Sequence, residues 1–353
     1  VRVNPATRVR PLGWRSIITG RSDVAGVQRT MQQLFERVYM LEGEVGGRPL
    51  QLTFLRGDRL DLLIDTGCAG DPDQFVADQI RQAGGFPASV RLIVNTHSDL
   101  DHTGGNAAMK RLAPGALLMC GTADRAACFD PHVLFSSRYD AYRHSHGIFY
   151  DDAAAGWIRE QSGYATPIDV TSNGGTFLQL SDDWAVELIA LPGHSHGHLG
   201  VYDRHNHALY GGDAIHGAVY PGLDGSPKLC PTYLHVDDYL QTIDRIRALP
   251  ISTYVGCHWP VMRGDAVAAF CAESRAFVER ADALLMKLFQ RGTPVTLREA
   301  CLQLGPQLGE WPDVPALHLE LIFALNGHAE RLVQQGKVET QRVDGVLAYQ
   351  AVM

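Results

Sequence analysis

The chain has 353 residues with 31 Lys/Arg against 39 Asp/Glu, a net charge of −8 with histidine neutral, and 20% charged and 45% apolar residues. At about 100–200 residues per domain this predicts two domains, or one large domain with an appendage, and excludes disorder, collagen and coiled coil for the whole. The acidic balance speaks against attraction to polyphosphate, and no apolar run reaches the roughly 18–20 residues of a membrane span.

The opening segment VRVNPATRVRPLGWRSIITGR is basic, with no apolar h-region and no small-residue cleavage site. With valine first, a removed leader is compatible with the sequence, and the expected location is otherwise cytoplasmic. The seven cysteines include no C-x-x-C and read as scattered small core residues in a reducing compartment. From Arg37 the pattern is β-like: VYML, then PLQLTFL, a charged turn at Arg56-Gly57-Asp58-Arg59, and the buried strand LDLLIDTG. A helix is predicted over 72–84, ending at Gly84-Gly85, followed by the buried strand RLIVNTH. A short helix near 106–112 and the strand ALLMCG complete this half.

Residues 123–170 break the rhythm with aromatics and histidines, and are expected to form an insertion over a pocket. Strand patterns return at TFLQL, WAVELIAL, HLGVYD and ALYGGD, and a helix at 236–248 precedes STYVGCHW. After Arg263 the pattern is three helices, Ala266 to Gln290, LREACLQL and LHLELIFALNGHAERLVQQG, then two strands around Asp344-Gly345. That is a winged-helix-like arrangement, often a DNA reader, but residues 263–353 hold 9 Lys/Arg against 11 Asp/Glu. A packing or dimerisation module is the expectation for this tail, with no nucleic acid partner.

Of the 15 histidines most fall between His97 and His258. NTHSDLDHTGG puts His97, Asp99, Asp101 and His102 within six residues directly after a buried strand, with Gly104 and Gly105 to let the backbone fold tightly. Imidazole and carboxylate together suit a divalent metal that polarises water. A polar surface loop is the alternative for this motif taken singly. However, LPGHSHGHLG, YGGDAI and STYVGCHWP place His194, Asp213 and His258 after three further predicted strands, so all can gather on one sheet edge.

The sequence resembles the metallo-β-lactamase superfamily over about residues 35–262, with five separated motifs in the order of that family. The resemblance implies an α/β fold, an αββα sandwich (residues 1–262), with a mostly helical, winged-helix-like extension (263–353). It implies that Asp65 of IDTG supports the metal site from behind. The H-x-H-x-D-H motif is H-x-D-x-D-H here. Carried over, a first metal takes His97, Asp99 and His194, a second takes Asp101, His102 and His258, and Asp213 bridges. Two divalent ions are thus expected, zinc by default, with the carboxylate of Asp99 favouring iron or manganese. His198 is expected to build the loop after His194. His216 stands where lactonase-like relatives place a substrate-contacting tyrosine, so substrate contact and a satisfied loop histidine are both open to it. His144 and His146 are candidates to line a pocket, and His205 and His207 to flank an exposed turn.

The implied reaction is hydrolysis of an ester, lactone, thioester or amide in a small molecule with an apolar portion, Asp101 orienting the nucleophile and His216 assisting the leaving group. A di-iron redox enzyme, motivated by Asp99, lacks a flavin domain. An RNA-processing nuclease is disfavoured by the acidic balance. A binding protein that merely retains the fold is disfavoured by the nearly complete ligand set. Fold alone does not choose among these.

Overall fold

A computed structural model describes residues 31–352; the basic opening segment discussed above lies outside them. The first sheet has seven strands in chain order: β1 (Gln32–Phe35), β2 (Val38–Val45), β3 (Arg48–Arg56), β4 (Asp61–Ile64), β5 (Val90–Val94), β6 (Leu117–Gly121) and β7 (Val170–Ser172). It starts as an antiparallel meander and is parallel from β4 to β7. β1 has no sequence signature; it exists by pairing with β2 at the sheet edge.

The second sheet runs β8 (Thr176–Ser181), β9 (Trp184–Ala190), β10 (Leu199–Asp203) and β11 (Ala208–Gly212). After a small ribbon of β12 (Tyr220–Pro221) and β13 (Pro227–Leu229), it is completed by β14 (Thr253–Gly256) and β15 (Met262–Arg263). β14 lies parallel to β11, and the other neighbours in this sheet are antiparallel.

Strand periodicity sorts the side chains into layers. On β5, Leu92 and Val94 pack between the sheets with Val186, Val201 and Tyr210, while Ile93 faces the helices outside, joined there by Val90 across a register shift at the start of the strand. The helix expected at 72–84 begins as a π turn, Pro72–Val76, continues as Ala77–Gln82 and stops before Gly84. On the far side, the helix Val236–Ala248 covers the second sheet. The result is the expected αββα sandwich.

The stretch 123–170 is the crossover that joins parallel strands β6 and β7. It consists of short helices, among them Phe135–Tyr139 and Asp152–Gln161, laid over the edge of the sheets. The C-terminal region is mainly helical: Asp265–Phe289, Leu297–Leu308 with a Thr296/Glu299 capping box, Pro315–Leu319 and Ile322–Gln334. β16 (Val295–Thr296), β18 (Val346–Ala351) and β17 (Val338–Val343) form a three-stranded sheet in that spatial order. The single helix expected from LHLELIFALNG is broken at Glu320-Leu321, and the break turns Glu320 towards a cavity. Tyr233 and Tyr239 share one apolar cluster with Phe277, Leu285 and Leu325, so the tail packs directly on the helical face of the second sheet. All seven cysteines are buried and free. Among the described residues no helix is long and apolar enough to cross a membrane.

Candidate metal centre

Every residue of the predicted constellation stands just beyond the C-terminal end of a strand: Asp65 after β4, His97–His102 after β5, His194 after β9, Asp213 after β11 and His258 after β14. The two sheets end side by side, so these turns meet. Gly212 permits the approach. Its φ is +53°, and a Cβ there would lie 2.7 Å from the Thr96 hydroxyl oxygen. Gly104 and Gly105 act differently from the expectation of a tight turn round an ion. A Cβ on either would strike a backbone oxygen, that of Gln161 or of Thr66, so they let neighbouring segments close in on the loop.

The ring partners present one nitrogen, Nε2, of each buried histidine to the centre. His102 Nδ1 donates to Asp65 Oδ2 at 2.8 Å, and His258 Nδ1 to the Pro49 carbonyl at 2.6 Å. His194 Nδ1 lies 3.1 Å from His216 Nε2, whose Nδ1 is 2.9 Å from the Tyr239 hydroxyl. His97 Nδ1 lies 3.1 Å from Thr96 Oγ1. Such partners fix tautomer and ring orientation, the usual support of a metal-ligating imidazole. Asp65 also accepts from the Thr96 amide at 2.7 Å and its hydroxyl at 2.8 Å.

Candidate ligand atoms converge in two clusters, and a third group, His194, Asp213 and His216, shares one member with each. In one, His258 Nε2 lies 3.3 Å from Asp101 Oδ2 and 3.4 Å from Asp213 Oδ2, and His102 Nε2 lies 3.8 Å from Asp213 Oδ1. Donors at about 2.0–2.1 Å from a tetrahedral ion stand about 3.4 Å apart, so this set fits a divalent ion. Buried His102 Nε2 and Asp213 Oδ1 have no hydrogen-bond partner among the described residues, which points to the same occupant. Cys257 joins the cluster: a donor atom from each of His102, Asp213, Cys257 and His258 lies within 4.8 Å of the others. Its place beside His258 at a strand end is its one mark in the sequence, where a cysteine otherwise reads as a core residue.

The second cluster is His97, Asp99 and His194. Asp99 Oδ2 is 3.6 Å from His97 Nε2 and 3.1 Å from His194 Nε2. Arg138, from the crossover, is here as well. Its Nη2 donates to Asp99 Oδ2 at 2.8 Å, and its Nε is 2.5 Å from Asp99 Oδ1. Burial pushes the Asp99 carboxyl up, but Arg138 and His194 hold it well below the usual carboxylate range. Burial likewise raises Asp213, and His258 and His102 overcome it, so Asp213 too is held well below that range. Burial lowers His258, but Asp213, Cys257 and Asp101 hold it well above its ordinary value. A divalent ion arriving there displaces protons as it binds.

His198 is buried and stacks on His97 with ring centroids 5.0 Å apart. His216 is fully buried between His194 and Tyr239 and does not line the cavity, which suits orientation of His194 rather than contact with substrate. His146 bonds Asn326 away from the cavity, while His144 and the His205/His207 turn are exposed.

The cavity above the centre, about 120 Å³, is lined by Asp99, Asp101, Asp213 and His258 from the sheet ends. Its other walls are Arg48, Tyr220, Lys228, the crossover residues Arg138, Tyr139, Tyr150 and Trp157, and Leu317, Glu320 and Phe323 of the tail. Tyr220 donates to Asp213 Oδ2 at 2.9 Å. Neither Tyr220 nor Arg48 carries a motif. Tyr150 donates to Glu320 at 2.9 Å, and burial pushes the Glu320 carboxyl up to about 7.

Folded protein therefore holds the Glu320 proton more tightly than unfolded chain. Stability from this group is complete below the unfolded value near 4.5 and falls as pH rises through about 7, by about 3 kcal/mol in all at 1.36 kcal/mol per pH unit of displacement. Glu320→Gln is expected to remove most of that decline, read as the difference in denaturant midpoints between pH 5 and pH 8. An equal decline in both proteins would show that Glu320 does not titrate in this range.

A family model described as the metallo-beta-lactamase superfamily matches residues 46–258. No curated protein matches the chain. Among solved structures, a metallo-beta-lactamase family protein from Thermus thermophilus superposes with a TM-score of 0.69 at 19% identity, covering 91% of this chain and all of its own. A beta-lactamase domain protein from Burkholderia ambifaria gives 0.69 at 16% identity, covering 94% and 96%. A metallo-beta-lactamase from Cronobacter sakazakii gives 0.52 at 18% identity, covering 72% and 98%. At these identities the likeness is one of fold.

Proposed function

The chain belongs to the metallo-beta-lactamase superfamily, and on that footing we propose that it is a metal-dependent hydrolase of a small molecule carrying an ester, lactone, thioester or amide bond. The observation that carries this reading is a pair of buried, unpartnered ligand atoms, His102 Nε2 and Asp213 Oδ1, beneath a cavity that Asp213 and His258 line. His102, Asp213, Cys257 and His258, whose donor atoms converge, would hold the ion together with Asp101, which lies 3.3 Å from His258. A divalent ion supplies there a water whose pKa falls from about 15.7 towards 7, so that a nucleophile exists at neutral pH. Zinc is the ion of choice, because a thiol among nitrogen and oxygen donors suits it better than manganese or iron.

The protein's own groups do the rest. Asp101, ionised at neutral pH although buried, accepts a hydrogen bond from the attacking water and keeps its lone pair aimed at the carbonyl. Tyr220 holds Asp213 through its hydroxyl proton. Arg48, Lys228 and Arg138 make one side of the cavity positive, and Tyr139, Trp157, Leu317 and Phe323 give it apolar wall. A substrate with an anionic or strongly polar oxygen and an apolar body matches that lining.

The test is a panel of chromogenic lactone, ester, thioester and β-lactam substrates, assayed before and after chelation and after zinc is returned. Turnover lost on chelation and restored by zinc is expected. Turnover indifferent to chelation would overturn the proposal.

A further inference from the structure

The superfamily's two-ion arrangement leaves one group in this protein unexplained. Arg138 is 7% exposed and sits on the helical turn Phe135–Tyr139 of the crossover, far in sequence from the residues it meets. Besides its two contacts with Asp99, its Nη2 lies 3.2 Å from His194 Nε2 and 3.4 Å from the Thr232 carbonyl, and its guanidinium carbon lies 4.8 Å from the centre of the Phe323 ring. Asp99 Oδ2 and His194 Nε2 are the atoms a first metal would take.

An imidazole nitrogen has one lone pair. His194 Nδ1 already faces His216, which continues to Tyr239, so Nε2 is the nitrogen left either to bond the Arg138–Asp99 pair or to bind an ion. It cannot do both. A permanently charged guanidinium that close also repels a second cation, and Arg138 cannot be neutralised at accessible pH. It is held in place on three sides: by the Asp99 carboxylate, by the Thr232 carbonyl and by the Phe323 ring. Among the described residues the other cluster has no guanidinium bonded into it: His258 faces Asp101 and Asp213, His102 faces Asp213, and Arg48 acts on Asp101 and Asp213 through its charge without a bond to either.

Resting on the reading above, we infer that Arg138 is a built-in organic cation that takes the place of the first metal, so that the chain carries one divalent ion, at Asp101, His102, Asp213 and His258. The motif's expected pair of ions becomes one ion and one guanidinium. Asp99 is then the counter-ion of Arg138 rather than a ligand, which gives the aspartate at the motif's second histidine position a reason. A carboxylate can grip a guanidinium through two oxygens; an imidazole cannot. Arg138 is thus a positioning residue that fixes Asp99 and His194 beneath the cavity. Its Nη1 and Nε are buried without a hydrogen-bond partner among the described residues, and since Nε lies against Asp99 Oδ1, Nη1 is the donor available to an oxygen of the substrate.

The experiment is metal analysis of wild type and Arg138→Met after equilibrium dialysis against zinc, with cobalt loading followed by visible absorption as a second readout. Wild type should hold one ion per chain. Arg138→Met should hold two, its second ion bound at least about 10–100-fold more tightly than any second ion in wild type, the scale typical of changing a ligand's outer partner. A second cobalt should add its own absorption band in the variant alone. Two ions in wild type would overturn the assignment of Arg138 and leave the hydrolase reading standing. That result needs no variant to fold. One ion in both proteins would also overturn it, since the guanidinium would then not be what excludes the other. No ion in either would sink the metal-dependent reading itself, and the inference with it. Arg138→Lys, smaller and without the fork, serves as a second variant; restored exclusion at partial strength supports the charge-based argument.

Discussion

Asp213→Ala is expected to empty the metal cluster and to lower hydrolytic turnover by at least about 100-fold while leaving the protein folded. The carboxylate faces both His258, at 3.4 Å, and His102, at 3.8 Å, and it accepts a hydrogen bond from the Tyr220 hydroxyl at 2.9 Å. Without it the cluster loses an anionic donor that faces both histidines, and an ion there has fewer ligands and less charge to hold it. The sandwich does not depend on this side chain, since the layers on either side of β11 are apolar: Leu209 packs outward and Tyr210 inward. Circular dichroism should therefore match wild type while metal content falls. Near-normal turnover with unchanged metal content would remove Asp213 from the centre.

The second large effect is expected at Asp65, which binds no substrate. It is 3% exposed and accepts three hydrogen bonds, from the Thr96 amide, the Thr96 hydroxyl and His102 Nδ1. Its φ is +62°, in the left-handed region that Asp and Asn enter more readily than other side chains. Asp65→Ala removes the shared acceptor of three buried donors, leaving the Thr96 amide with none and the Thr96 hydroxyl and His102 Nδ1 with only longer contacts, and puts alanine in that region, so a loss of about 3–5 kcal/mol of stability is expected. Asp65→Asn tolerates the backbone and should cost less. Both should weaken metal binding about 10–100-fold, because His102 loses its anionic partner. Denaturant unfolding and competition with a chelator measure the two effects separately. A loss below about 1 kcal/mol in Asp65→Ala, with metal affinity unchanged, would contradict this account.

How much of this could be read from the chain depends on the kind of element that carries each residue. His97, His102, His194, Asp213 and His258 each follow a short apolar run, and a strand end is a place that sequence can locate because β periodicity and flanking glycines mark it. Their convergence on one edge then follows from the two-sheet architecture. Arg138 and Glu320 follow no such rule. Arg138 lies in irregular helical turns whose direction is set by the parallel crossover, and Glu320 sits within what reads as an uninterrupted helical pattern. Their arrival at the cavity is decided by how the crossover and the tail pack, a long-range matter with no local mark. Cys257 and Tyr220 are hidden for another reason. Each is an ordinary core residue type, and only the position of its polar atom sets it apart. His216 shows the converse: its spacing from Asp213 is legible, yet its burial under His194 is not.

The tail's place in the cavity wall has a consequence for synthesis. His258, the final metal-facing residue, precedes Glu320 by about 60 residues. At about 5–20 residues per second, several seconds separate the emergence of the two. During that interval every proposed ligand has left the ribosome, but Glu320 and Phe323 have not yet emerged to wall the site in. The nascent sandwich therefore passes through a stage in which its ion-binding face is open to bulk solution on one side. Metal can be acquired without threading a finished cavity, and any cellular delivery factor has its widest access then, before the last helices close over the face.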